Sequence, residues 1–326
     1  MHIMLLLNLE LLIMDFKHFI STKTKLPYQE FEKCLATEQN EEIHIINGIP
    51  RFVDADNYTA AFGLQWNMFS QTQFDSFTKQ PISENRLEIA LGQPLETIKG
   101  LKVLEAGSGA GRFTEVLLKY GAEVYSFDLS DAVEANYENN MPHQNLTLFQ
   151  GDIMDIHFQD DFFDISLCLG VLQHTPSSVD SIRELTRVLK KGGKLVFDHY
   201  KFHPGHYLSL YLLYWFFIER LKTQNQLKVT DFLTKIFFPV HWYFKDNRLM
   251  QFLLRRISPI AFYYGMFDLS KEQHYEFSRL DTHDKNTDHF KRHLTERGLE
   301  KKIRRFEFQK YEINHRGNGL ECIAIK

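Results

Sequence analysis

The residues best suited to chemistry are three glycines set among acids. Glu105 is followed by Gly107, Gly109 and Gly111 at alternate positions. Asp128 and Asp152 each follow a further apolar run, and His174 follows another. Glycines at this spacing allow turns that a Cβ forbids and leave bare backbone for a ligand to approach. A helix starting directly after them offers its positive N-terminus. A carboxylate at the end of the next strand can accept both hydroxyls of a ribose. Together these residues point to a nucleoside-bearing ligand.

The surrounding pattern supplies the elements that position them. Leu101, Val103 and Leu104 read as a strand, and Phe113, Val116, Leu117 and Tyr120 as a helix. Residues 124–129 form a second strand, and 146–150 a third that leads into Gly151-Asp152-Ile153. Residues 163–170 form a fourth, opening into Val171-Leu172-Gln173-His174. A helix over 184–191, a Gly192-Gly193 turn and a fifth strand follow. Such alternation predicts a parallel sheet covered by helices on both faces, with ligands at the carboxyl ends of its strands. Near the end, the pattern predicts a helix from Thr287 to Arg297 closed by Gly298. It also predicts a strand near Lys302 to Phe308 and a last strand over Leu320 to Ile325.

A dinucleotide fingerprint would require G-x-G-x-x-G, but here its third glycine falls on Arg112. The pattern E-x-G-x-G-x-G instead resembles motif I of the class I S-adenosylmethionine (SAM) dependent methyltransferases, of the type 11 kind. Arg187-Val188-Leu189-Lys190-Lys191-Gly192-Gly193 is similar to that family's R-V-L-K-P-G-G, with Lys191 in place of proline. The resemblance implies an α/β, Rossmann-like sheet of seven strands, the last antiparallel. It also implies SAM as cofactor. The implied cofactor residues are Glu105, Gly107, Ser108, Gly109, Gly111, Asp128, Leu129, Asp152, Ile153 and Leu169. Asn57 to Asn67 resembles a segment found ahead of motif I in a bacterial subfamily, which adds Gln65 and Trp66 at the methionine end. Arg86 is a candidate partner for the cofactor carboxylate.

Methyl transfer from SAM is an in-line displacement, and a hydroxyl acceptor gains from a general base. His174 and His199 lie just past strand ends and are the candidates, with His283 a third. The family's N/D-P-P-Y/F loop, expected of enzymes that methylate amino groups of bases or glutamine, is replaced by Leu169-Gly170-Val171-Leu172. This favours a small-molecule, glycan or lipid-linked acceptor and O-methylation. C-methylation of an isoprenoid quinone and a non-catalytic SAM-binding regulator are the alternatives.

Four regions are expected: an N-terminal extension (1–56), the cofactor core (57–200), a helical insertion (201–285) and a C-terminal return (286–326). The extension carries a hairpin turning at Asn47-Gly48, similar to the end of a zinc ribbon. It retains only Cys34, so no metal is expected. Three separated cysteines give no disulfide framework and suit a reducing, cytoplasmic setting. A net charge of -4 argues against general binding of nucleic acid. Met1 to Met14 is apolar but too short to cross a bilayer, and translation starting at Met14 is the favoured reading. From Lys201 to Arg256, nine Lys or Arg meet three acids among many aromatics. That suits a cap over an anionic acceptor, with Arg255 and Arg256 facing it, or peripheral contact with the inner membrane face. The oligomeric state is left open.

Overall fold

The computed structural model describes residues 16–54, 58–205 and 209–326. Met1 to Met14, Asn57, Tyr207 and Leu208 fall outside these. Seven strands make the central sheet: β5 (Lys102–Ala106), β6 (Glu123–Asp128), β7 (Leu146–Gln150), β8 (Phe163–Cys168), β9 (Leu189–Tyr200), β10 (Lys310–Asn314) and β11 (Gly319–Ile325). Their order is β10-β11-β9-β8-β5-β6-β7. Strands β5 to β9 run parallel, while β11 is antiparallel to both neighbours. This is the Rossmann-like methyltransferase sheet that the motif order implies. Its inner strands are largely apolar because helices cover both faces; Val103, Leu104, Val124, Leu148, Leu167 and Phe197 are buried.

Four short strands, β1 (Gln29–Glu30), β2 (Cys34–Ala36), β3 (Glu42–Ile46) and β4 (Ile49–Pro50), form an antiparallel sheet in the N-terminal extension. It adds to the β7 edge of the core, where Arg51 bridges Gln150 and Phe19 packs on Phe52, Phe149 and Phe158. Asn47 and Gly48 both take positive φ, as a tight hairpin turn requires.

Around the core lie α1 (Ala60–Met68), α2 (Asp75–Thr78), α3 (Ile82–Leu91), α4 (Arg112–Lys119), α5 (Ala132–Asn140) and α6 (Ser178–Arg187). After β9 come α7 (Tyr211–Ile218), α8 (Thr223–Tyr243), α9 (Arg248–Ile257) and α10 (Lys271–Thr287). A capping box at Ser270 and Gln273 opens α10, which packs along α8. The last helix is α11 (Glu296–Ile303).

Three expectations about the elements need correction. The Gly192-Gly193 turn lies inside β9: its pairing with β8 jumps from Phe163↔Leu189 to Ile165↔Lys194, and Gly192, at φ 77°, absorbs the extra residues. No helix spans Thr287 to Arg297. Residues 288–293 run as loop, and Leu294 is held to the chain at the end of β9 by Phe202 N–H to Leu294 O (2.7 Å) and Leu294 N–H to Tyr200 O (2.9 Å). Gly298 does not close a helix either; it sits in the first turn of α11, its N–H donating to the capping Thr295 Oγ1 at 3.1 Å. Finally, Lys302 to Phe308 is not a strand. Leu299 and Ile303, four apart, bury one face of α11, and β10 starts only at Lys310.

Candidate active site

The carboxyl ends of β5, β6, β7, β8 and β9 open into one cavity of about 1030 Å³, roofed by α1, α10 and residues 260–267. Its lower wall is the glycine loop. Gly107, Gly109 and Gly111 all have positive φ, of 77°, 54° and 91°. The reasons they must be glycine differ from one to the next. A Cβ on Gly107 would strike Val171, and one on Gly111 would strike Asn136 and Asn140 of α5, so packing fixes these two. A Cβ on Gly109 would meet the Trp66 indole at 3.0 Å, inside the cavity.

Asp128 closes β6 beside this loop. One carboxylate oxygen accepts from Gly109 N–H (3.0 Å), the other from Ser130 N–H (2.9 Å) and Ser130 Oγ (2.7 Å). Burial nonetheless pushes its pKa up. Leu129, Gly151, Ile153 and Leu169 continue the same wall, with Ser108. Gln65 and Trp66 enter from α1.

Glu105, Gly111 and Asp152 do not line the cavity. Glu105 lies beneath the loop, where one carboxylate oxygen accepts from Thr114 Oγ1 (2.5 Å) and Ser126 Oγ (2.9 Å). Its buried carboxyl is pushed up to about 7. Gly111 serves the α4–α5 contact, and Asp152 sits behind Ile153, accepting from Met154 N–H at 2.8 Å. Arg86 reaches the cavity, but its guanidinium is held by the buried carboxylates of Asp198 (2.9 Å) and Glu321. Asp198 accepts in turn from Gly170 N–H (2.7 Å) and Asn318 Nδ2 (3.0 Å). Arg86 is therefore a brace between α3, β9 and β11, not a spare cation for a cofactor carboxylate.

The histidines separate cleanly. His174 lines the cavity, with Nδ1 3.0 Å from Phe290 O and 3.6 Å from the buried Asp288 carboxylate. Donation from Nδ1 to that carbonyl leaves Nε2 as the acceptor. His199 does not line it. Side chains alternate along β9, so Asp198 and Tyr200 face the cavity while His199 is buried on the opposite face, its pKa lowered to about 4 by burial. His283 is also fully buried away from the cavity, bonded to Thr230 Oγ1 at 3.1 Å.

The cap supplies polar residues that motif spacing does not single out. Asp281, Asp284 and Lys285 share one face of α10 and line the cavity. Burial, and next the neighbouring Asp284, pushes the Asp281 carboxyl up to about 7, while Tyr263 bonds to it. Burial pushes the Lys285 ammonium down to about 8; it lies 4.7 Å from the Tyr211 ring centre. Arg112 is a further, half-buried cation facing the cavity, stacked on Phe113 at 4.4 Å. A signal for the cap residues is present in the sequence: positions 281, 284 and 285 have the spacing of a single helix face, with 283 on the other.

This wall fits a nucleoside cofactor with an amino-acid tail. Gln65 is 1% exposed, faces the cavity, and has both amide atoms without a hydrogen-bond partner among the described residues. A buried amide in that state is costly unless a ligand completes it.

Comparison with known proteins bears on the fold of this domain. Residues 104–197 match the model of a methyltransferase domain. A ubiquinone biosynthesis O-methyltransferase of Coxiella burnetii is 35% identical over 104 residues, 31% of this chain and 44% of that protein. A demethylmenaquinone methyltransferase of Staphylococcus aureus is 34% identical over 103 residues, 30% and 42% of the two chains. The chain thus spans less than half the length of these curated relatives. Among solved structures, a SAM-dependent methyltransferase from Methanosarcina mazei superposes with a TM-score of 0.38 at 17% identity, covering 70% of this chain and 92% of that one. The sheet order and the domain match define a class I methyltransferase domain, whose cofactor is SAM. Residues 104–197 thus carry a methyltransferase domain of that class.

Proposed function

We propose that the protein transfers a methyl group from SAM to a hydroxyl of a small-molecule or lipid-linked acceptor. Gly109, Asp128, Leu129, Ile153, Gln65 and Trp66 would hold the cofactor, which supplies an electrophilic methyl group when bound. The observation that carries the reading is His174. It faces the same cavity as the glycine loop, and its Nδ1 is tied to Phe290 O with Asp288 behind it. That tautomer leaves Nε2 to accept the acceptor's hydroxyl proton, and Asp288 steadies the imidazolium formed. Enclosure by Phe62, Tyr200, Phe262 and Tyr263 excludes water from the reacting groups.

C-methylation of an isoprenoid quinone ring is the second reading. The apolar roof and the S. aureus relative's name support it. Tritium transfer from labelled SAM to hydroxylated quinone precursors, glycans and lipid extracts tests the choice. An O-methyl product, with turnover of His174→Gln reduced about 100-fold or more at unchanged SAM affinity, supports the first reading. A ring-methyl product supports the second. SAM binding with no transfer to any extract would leave only a regulator.

A further inference from the structure

The cap helices leave much of their apolar surface uncovered. Among the described residues, 14 of the 20 large hydrophobic side chains that are exposed fall between Leu210 and Met266. They are not scattered. On α8, Phe232, Ile236, Val240 and Tyr243 recur at helical spacing opposite the buried Thr230, Thr234, Phe238 and His241. On α9, Leu249, Phe252, Leu253 and Ile257 do the same opposite Gln251 and Leu254. On α7, Leu213, Phe216 and Phe217 form a third stripe. Helices of a monomeric soluble protein turn such stripes inward, and a contiguous outward patch marks an interaction surface.

The charge around these stripes has one sign. Between residues 209 and 266 there are eight Lys or Arg and three acids. Each acid is already engaged: Glu219 with Arg220 and His289, Asp231 with Arg279, Asp246 with Lys245. Lys228, Lys235 and Arg248 have no carboxylate partner among the described residues. A second copy of the chain, docked by two-fold symmetry, would bring this basic rim against itself. An anionic bilayer matches both features, taking the apolar side chains into its interface and the cations onto its headgroups.

The same helix links the patch to the site. On α9 the Arg256 guanidinium lies 4.8 Å from the ring centre of the exposed Phe252, and Arg256, the exposed Arg255 and Met266, 67% exposed, all border the cavity. We infer that α7, α8 and α9 dock on an anionic membrane surface and bring the cavity mouth to it, so that the acceptor enters from the lipid phase. No helix among the described residues is long and apolar enough to cross a membrane, so the contact is with one leaflet.

Flotation of the full chain with vesicles tests this, and needs neither SAM nor an acceptor, so its failure is distinct from failure of the methyltransferase reading. Vesicles of phosphatidylglycerol mixed with phosphatidylcholine should carry the protein, more at low salt than at high, and pure phosphatidylcholine should carry far less. Two variants confined to exposed positions probe each half: Phe232→Glu with Phe252→Glu, and Lys228→Glu with Lys235→Glu and Arg248→Glu. Each should lower partitioning about tenfold or more while calorimetric SAM affinity stays at the wild-type value. Wild-type partitioning in both variants, or no flotation of the wild type, overturns the inference. So does a stable dimer in sedimentation that the Phe232/Phe252 variant dissociates, because a second copy would then own the face.

Discussion

At Gly109 the reason for glycine is local and specific. A Cβ there would sit 3.0 Å from the Trp66 ring, at a φ of 54° that side chains rarely adopt. Gly109→Ala is expected to weaken SAM binding about tenfold or more by moving Trp66, with a melting temperature lowered by only a few degrees; calorimetry and thermal melts measure the two. Asp281 is a residue of a different kind. Its carboxyl is held near 7 by burial, against about 3.9 in an unfolded chain. The folded state therefore keeps a proton that the unfolded state has lost. This group's contribution to stability is full below about pH 4, is lost as pH rises toward 7, and is flat above that. Asp281→Asn cannot titrate. Its melting temperature should gain on the wild type between pH 4 and 7 and hold a constant lead above it. A lead that shrinks with rising pH contradicts the placement of Asp281.

At the scale of elements, β9 decides which candidates reach the site. Its alternation sends Asp198 and Tyr200 to the cavity and His199 to the far side, a distinction that strand-end position alone does not make. Asp198 and Glu321 are cross-strand partners on β9 and β11, both fully buried, and Arg86 of α3 closes on the pair. Arg86→Met leaves two adjacent buried carboxylates with less compensation. It should cost about 3–5 kcal/mol in denaturant unfolding, with SAM affinity little changed in the folded fraction. Loss of SAM affinity at unchanged stability would instead make Arg86 a ligand residue. The parallel strands, the glycine loop and the Asp128 and His174 positions are legible in the sequence because each depends on local pattern: an apolar run, then a turn, then a polar side chain at or just past the strand end. The Arg86 brace and the bulge at Gly192 are not, and the helix-face spacing of Asp281, Asp284 and Lys285 does not by itself say what that face meets. Each depends on which distant segments the sheet brings together. Residues 288–294 have a helix-like local pattern, but Leu294 bridges to the chain at the end of β9, a segment distant in sequence, and that pairing overrides it.

At the scale of the whole molecule, one wall of the cavity is built by the strand ends with α1, and the opposite wall by the insertion that follows β9, where the proposed function places the acceptor. The two halves meet at one cavity, with His174 between them, and the outer face of the insertion is apolar and basic. Changes on the cap should therefore alter acceptor use without altering the cofactor. The central claim is the cofactor site itself. Calorimetric titration of the folded chain with SAM, alongside Asp128→Ala, tests it most directly. One site is expected in the wild type, with affinity at least tenfold weaker in Asp128→Ala, because the variant loses both the acceptor for ribose hydroxyls and the bond that holds Gly109. Absence of heat with the wild type, or equal affinity in the two proteins, would contradict it.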